Sequence, residues 1–185
     1  MNVKGVAVQT MVNFIRDRFG DEGFNKWIES LSDEAKEVYK STILASQWYP
    51  LKTIISEPTR KMCDLFYDGD LKGAWESGEY SCEEALTGVY KMYMKQGDPH
   101  YIIHKSDSIL PKYYDDSEIE AVDVKDKSFK LQITKFPDMD EIIEQRIAGW
   151  VNKATVLSGC ENVKTEIVQS MAKGDPITEI FTEWD

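Results

Sequence analysis

The hydrophobic period of this chain changes near residue 117, and that change limits the fold more than any other feature. Before it the apolar residues recur at helical steps. Val8, Met11, Val12, Ile15 and Phe19 fall three or four residues apart, which predicts an amphipathic helix over 7–19 ending near Gly20. "DEGFNKWIESL" predicts a second, with Phe24, Trp27, Ile28 and Leu31 inward. Ser32 followed by Asp33 and Glu34 is an N-cap with acidic first-turn residues, favourable against the helix dipole. Pro50 suits the first turn of a helix, and Pro58 is expected to kink or split it. Ser81-Cys-Glu-Glu84 has the form of a capping box opening a helix whose Leu86, Val89, Tyr90 and Tyr93 share a face. Asp98-Pro99 then starts a short helix running to about 105.

After "PKYYDDS" the period becomes two. "SFKLQITKF" places Phe129, Leu131 and Ile133 on one face and Lys130, Gln132 and Thr134 on the other, a half-buried strand. "EIEAVDV" is its hairpin partner across 125–127. Asp138 to Glu141 cap a helix carrying Ile142, Ile143, Ile147, Trp150, Val151 and Ala154, ended by Gly159. "NVKTEIVQSM" and "ITEIFTEW" are two more alternating runs, joined by Gly174-Asp175-Pro176. Helices first, then β-β-α-β-β with an antiparallel sheet, is an α+β fold: an N-terminal helical layer packed on a C-terminal sheet. At 185 residues, with no linker or repeat, a single domain over 1–185 is expected.

Charge narrows the partners. Against 22 basic residues stand 33 acidic ones, a formal net charge of −11, and no basic stripe exists for a nucleic-acid backbone or an anionic membrane. No apolar run approaches the roughly 20 residues that span a bilayer. The N-terminal segment, interrupted by Gln9, Thr10 and Asn13, lacks the form of a signal peptide. Cys63, Cys82 and Cys160 are odd in number and widely spaced, as a reducing compartment permits, so a cytoplasmic location is expected.

The C-terminal "SMAKGDPITEIFTEWD", following a helix closed by "SGCENV", resembles the second half of the vinyl-4-reductase-like small-molecule-binding domains. That superfamily also holds the heme–nitric oxide/oxygen-binding domains and a vesicle-tethering transport protein particle subunit. "VKGVAVQTMVNFIRDRFGDEGF", "ASQWYPL", "LTGVYKMYMKQGDP", "PKYYDDS" and the final "EWD" are similar to a family of short bacterial proteins within it, numerous in myxobacteria. The resemblance spans essentially the whole chain. It implies a ligand-binding or interaction module in signalling, with a small apolar or aromatic ligand between helices and sheet, a protein partner, and pairing as a homodimer through helices. Many such domains carry cysteines flanking the Gly-Asp-Pro turn that help hold a metal. Here those positions are Ser170 and Thr178, poor zinc ligands, so the hairpin is expected to keep its shape without metal, held by strand pairing and Trp184.

Heme is the alternative the resemblance raises. It requires a proximal histidine, for which His104 stands at a suitable position, and a Tyr-x-Ser-x-Arg grip on the propionates. "YKST" at 39–42 precedes the histidine and has Ile43 where the arginine belongs, leaving the carboxylates no bidentate partner. His100 and His104, four apart, share one helix face and make half of a metal site at most. A ligand-free scaffold, like the tethering subunit, is the third reading. For the ligand site the candidates are Trp48, Tyr49, Tyr90, Tyr93, His104 and Trp150, within a wider aromatic set that includes Tyr101, Tyr113 and Tyr114. Their apolar bodies and polar tips suit an orienting pocket, though core packing serves the same residues. No nucleophile–base pair, phosphate-binding glycine loop or dinucleotide fingerprint is present, and a non-catalytic role without cofactor is expected.

Overall fold

The change of period becomes a change of secondary structure. The computed structural model describes residues 1–88, 91–93, 95 and 97–185. Up to residue 113 the described elements are helices, apart from two three-residue strands; the remainder runs β-β-α-β-β. Strand β1 (Asn2–Lys4) leads into α1 (Gly5–Ser30). The two helices expected on either side of Gly20 are the arms of this one element, bent where Gly20 takes φ 68° and ψ −176°. Met11, Phe14 and Ile15 from the first arm and Phe24, Trp27 and Ile28 from the second are buried. Helix α2 (Asp33–Lys40) is capped as expected, the Ser32 hydroxyl accepting from the Ala35 N–H at 3.4 Å.

Three expectations are corrected. Pro50 does not open a helix; it ends strand β2 (Trp48–Pro50), which pairs antiparallel with β1. Pro58 does not split its helix. The preceding turn, Lys52–Ser56, winds as a π-helix and runs directly into α3 (Glu57–Phe66). A proline ring crowds the carbonyl four residues earlier, and the wider turn on its N-terminal side relieves that contact. The Ser81–Glu84 box does not start a helix either, because α4 (Lys72–Thr87) already spans it and Ser81 lies buried in mid-helix.

Gly73, Ser77 and Gly78 read as helix breakers in isolation, but Gly73 packs α4 against Tyr67 and Cys63, and Ser77 and Gly78 let it approach α7 (Glu141–Leu157) closely. A Cβ on Gly78 would stand 2.0 Å from the Arg146 carbonyl oxygen, and one on Gly149 would stand 2.2 Å from that of Trp75. Tertiary packing here overrides helix propensity. Two short helices follow, α5 (Pro99–Ile103) and α6 (Ser106–Tyr113).

The sheet is antiparallel, with β3 (Glu118–Lys125), β4 (Ser128–Lys135), β5 (Lys164–Gln169) and β6 (Thr178–Glu183) in the order β3-β4-β6-β5. The expected alternation holds in β4, where Phe129, Leu131 and Ile133 are buried. Helix α7, capped by Asp140 accepting from the Ile143 N–H at 2.9 Å, packs between the sheet and α4. The result is an α+β fold. Among the described residues no helix is long and apolar enough to cross a membrane.

Candidate functional site

The inward faces of α5, α6, α7, β3 and β4 do not close completely on one another. They enclose a cavity of about 70 Å³. Strand alternation supplies Ile119, Phe129 and Leu131, and the apolar face of α7 supplies Ile147, Trp150, Val151 and Ala154. Ile102 and Ile103 come from α5, and Ile109, Leu110 and Tyr113 from α6, with Tyr114 just beyond; Gly78 and Ser81 of α4 form the far end. Tyr113 meets the Trp150 ring edge-on at 6.3 Å, and Tyr114 packs 5.3 Å from Phe136.

Polar groups in this lining are few, and most have partners. The Thr155 hydroxyl donates to the Val151 carbonyl at 2.9 Å, and the Ser81 hydroxyl accepts from Thr10 at 3.3 Å. Arg146 is different. It is only 3% exposed, its Nη1 donates to the Ser77 hydroxyl at 2.7 Å and lies 3.7 Å from Met11 Sδ, and its buried Nε–H has no protein acceptor. No carboxylate pairs with it among the described residues, although removing a guanidinium from water costs several kcal/mol without such a partner. Trp150, one turn further along α7, also carries a buried N–H without an acceptor.

Of the six residues singled out from sequence, Trp150 lines this cavity. Trp48 is exposed on β2 with the Lys4 ammonium 4.2 Å from its ring centroid. Tyr49 is buried beside it, its hydroxyl accepting from the Leu44 N–H at 3.0 Å. Tyr93 sits in a 3₁₀ turn, where Lys112 donates to its hydroxyl. Tyr90 lies outside the described residues. His104 is exposed at the end of α5, while His100 donates through Nε2 to the Lys125 carbonyl at 2.8 Å and packs near Trp184. Sequence reasoning passed over Arg146. The available signal was a cation within the apolar stretch of α7, four residues before Trp150 on the same face.

The C-terminal hairpin has its own answer. Ser170 and Thr178 both donate to the carboxylate of Glu144, each at 2.6 Å, and the Ala172 N–H donates to it at 3.2 Å. Asp175 of the turn accepts from the Ser170 N–H at 2.8 Å. A buried carboxylate on α7 thus occupies the space between the two hydroxyls and ties the hairpin to the helix. Trp184 adds its contact with Phe129 at 5.9 Å. Among the described residues no group of His, Cys, Asp and Glu has the arrangement of a metal site. Burial pushes the thiols of Cys63, Cys82 and Cys160 above their ordinary value, so none is an activated nucleophile.

No family profile and no curated protein matches the sequence. Solved structures do match its shape. An H-NOX protein mutant from K. algicida with unliganded Fe(II) superposes at a TM-score of 0.74 and 11% identity, over 98% of this chain and 96% of that one. An H-NOX protein from S. oneidensis in the Fe(II)NO state gives 0.74 and 9%, over 98% and 99%. A mutant T. Tengcongensis H-NOX gives 0.68 and 12%, over 98% and 97%. At such low identity the likeness speaks for the architecture: this chain has the H-NOX fold.

Proposed function

We propose that the protein is a non-catalytic, sensor-type domain that binds a small, largely apolar molecule in the cavity between α5, α6, α7 and the sheet. The observation that carries this reading is the composition of the lining: contiguous apolar side chains from five elements, with a few polar groups, is how small-molecule sites are built. The vinyl-4-reductase-like resemblance supports the same location for a ligand. A signalling role in the cytoplasm, read out by a protein partner, belongs to the proposal.

Heme is the second reading, and the neighbours favour it over a metal-free one, since they are heme proteins in named iron and nitric oxide states. The residues of this chain do not fit the group. Neither histidine lines the cavity, and His100 is engaged at the end of β3. The cavity is about half the size of the roughly 150 Å³ void that accepts a benzene. Its one guanidinium is held by Ser77.

The test is an absorption spectrum together with native and denatured masses of protein purified without extraction, followed by titration with hemin. The proposal expects no intense visible band, no stoichiometric hemin uptake, and a small mass difference lost on denaturation or none. A heme-sized mass difference with an intense band, or saturable one-to-one hemin binding, contradicts it.

A further inference from the structure

The cavity lining gives the ligand a chemistry. Arg146 and Trp150 stand one helical turn apart on α7, both line the cavity, and each carries a buried N–H that no protein group accepts from. Every other wall is aliphatic, aromatic or already hydrogen-bonded at its hydroxyl, or is one of the few remaining polar positions, Ser106 and the two tyrosines. A buried guanidinium without a carboxylate partner is an uncompensated charge. Two donors without acceptors ask for an acceptor, and the cation asks for that acceptor to be negative.

We infer that the ligand is a small monocarboxylic acid with an apolar body. Its carboxylate accepts from the Arg146 guanidinium and the Trp150 indole, and its hydrocarbon part lies against Ile103, Leu110, Phe129 and Ile147. At about 70 Å³ the cavity is too small for a ring and sets the length to a short aliphatic acid. The net charge of −11 repels anions at large, so affinity for an acid has to come from this buried cation. The inference rests on the cavity reading above and adds the charge of the ligand to it.

Chemical-shift titrations with acetate and propionate, each against the alcohol of the same skeleton (ethanol and 1-propanol), separate the two ideas. The expected result is that each acid binds at least about tenfold more tightly than its alcohol, since a charge-assisted hydrogen bond contributes ~1.5–3 kcal/mol and tenfold is about 1.4. Arg146→Met should erase that difference, the acids losing far more affinity than the alcohols. Trp150→Phe keeps an aromatic ring and removes the N–H, and should weaken the acids by about threefold or more, within the range for one neutral hydrogen bond. Thermal melts confirm that each variant is folded. If the alcohols bind as tightly as the acids, or if both variants leave the acids' affinity untouched, the anionic ligand is wrong and the cavity reading survives. If neither acids nor alcohols bind, both fail.

Discussion

Replacing Glu144 by alanine removes the acceptor shared by Ser170 Oγ, Thr178 Oγ1 and the Ala172 N–H, which lie 2.6, 2.6 and 3.2 Å from the carboxylate. Hydrogen bonds to a charged acceptor contribute ~1.5–3 kcal/mol each but are not additive within one network, so a loss of ~3–5 kcal/mol is expected for Glu144→Ala. Ser170→Ala deletes one donor and leaves the carboxylate two, so it should cost ~1.5–3 kcal/mol. Holding a buried carboxylate carries its own desolvation cost, and replacing every partner together by apolar groups of similar shape is often nearly neutral. The triple variant Glu144→Leu, Ser170→Ala, Thr178→Val should therefore recover most of the loss and sit within about 1.5 kcal/mol of the wild type. Urea unfolding at neutral pH, followed by two probes to check two-state behaviour, gives these values directly. Hydrogen exchange should place the weakening of Glu144→Ala in β5, β6 and the turn between them. A loss below about 1 kcal/mol for Glu144→Ala, within the ordinary range for any substitution, would refute the reasoning, as would a triple variant no more stable than the single one.

Two further predictions address other parts of the fold. Gly78→Ala places a Cβ 2.0 Å from the Arg146 carbonyl oxygen, a backbone clash that no side-chain rotation relieves. Overpacking of this kind should cost at least ~1–3 kcal/mol and lower the melting temperature. The Glu179 carboxylate is held below its usual 4.5 by the Gln132 amide and the Lys130 ammonium. Its contribution is fully present above 4.5 and is lost as the pH falls through the lowered folded value. Melting temperatures measured downward from neutral pH should fall less steeply below that point in Glu179→Gln than in the wild type.

The sheet half of the fold was legible because strand alternation is local: Phe129, Leu131 and Ile133 have only one face to bury, and that fixes the register of β4. The break at Gly20 was legible as a helix end for the same reason, since only glycine takes that backbone conformation without strain, though the two arms form one kinked element. What sequence missed depends on contacts distant in the chain. Strands β1 and β2 are three residues each and depend on pairing with one another and, for β1, on a bridge from Val3 to Tyr114. The start of α4 was hidden by small residues whose role is close packing, Gly73 against Tyr67 and Cys63, Gly78 against α7. The aromatic count drew attention to Trp48 and Tyr49, whose surroundings, Lys4 and Leu44, are set by the β1–β2 pairing away from the cavity. Arg146 was missed because one charged residue in an amphipathic helix reads as solvent-facing until its partners are seen.

The cavity itself is tested most directly by isoleucine-methyl NMR of the protein titrated with 1-propanol, a neutral probe small enough for the cavity and independent of the ligand's charge. The account predicts saturable shifts confined to Ile102, Ile103, Ile109, Ile119 and Ile147, with Ile15, Ile28, Ile54 and Ile55 of the α1–α3 core unmoved. Shifts centred on the second group, or none at any isoleucine at millimolar probe, would contradict it.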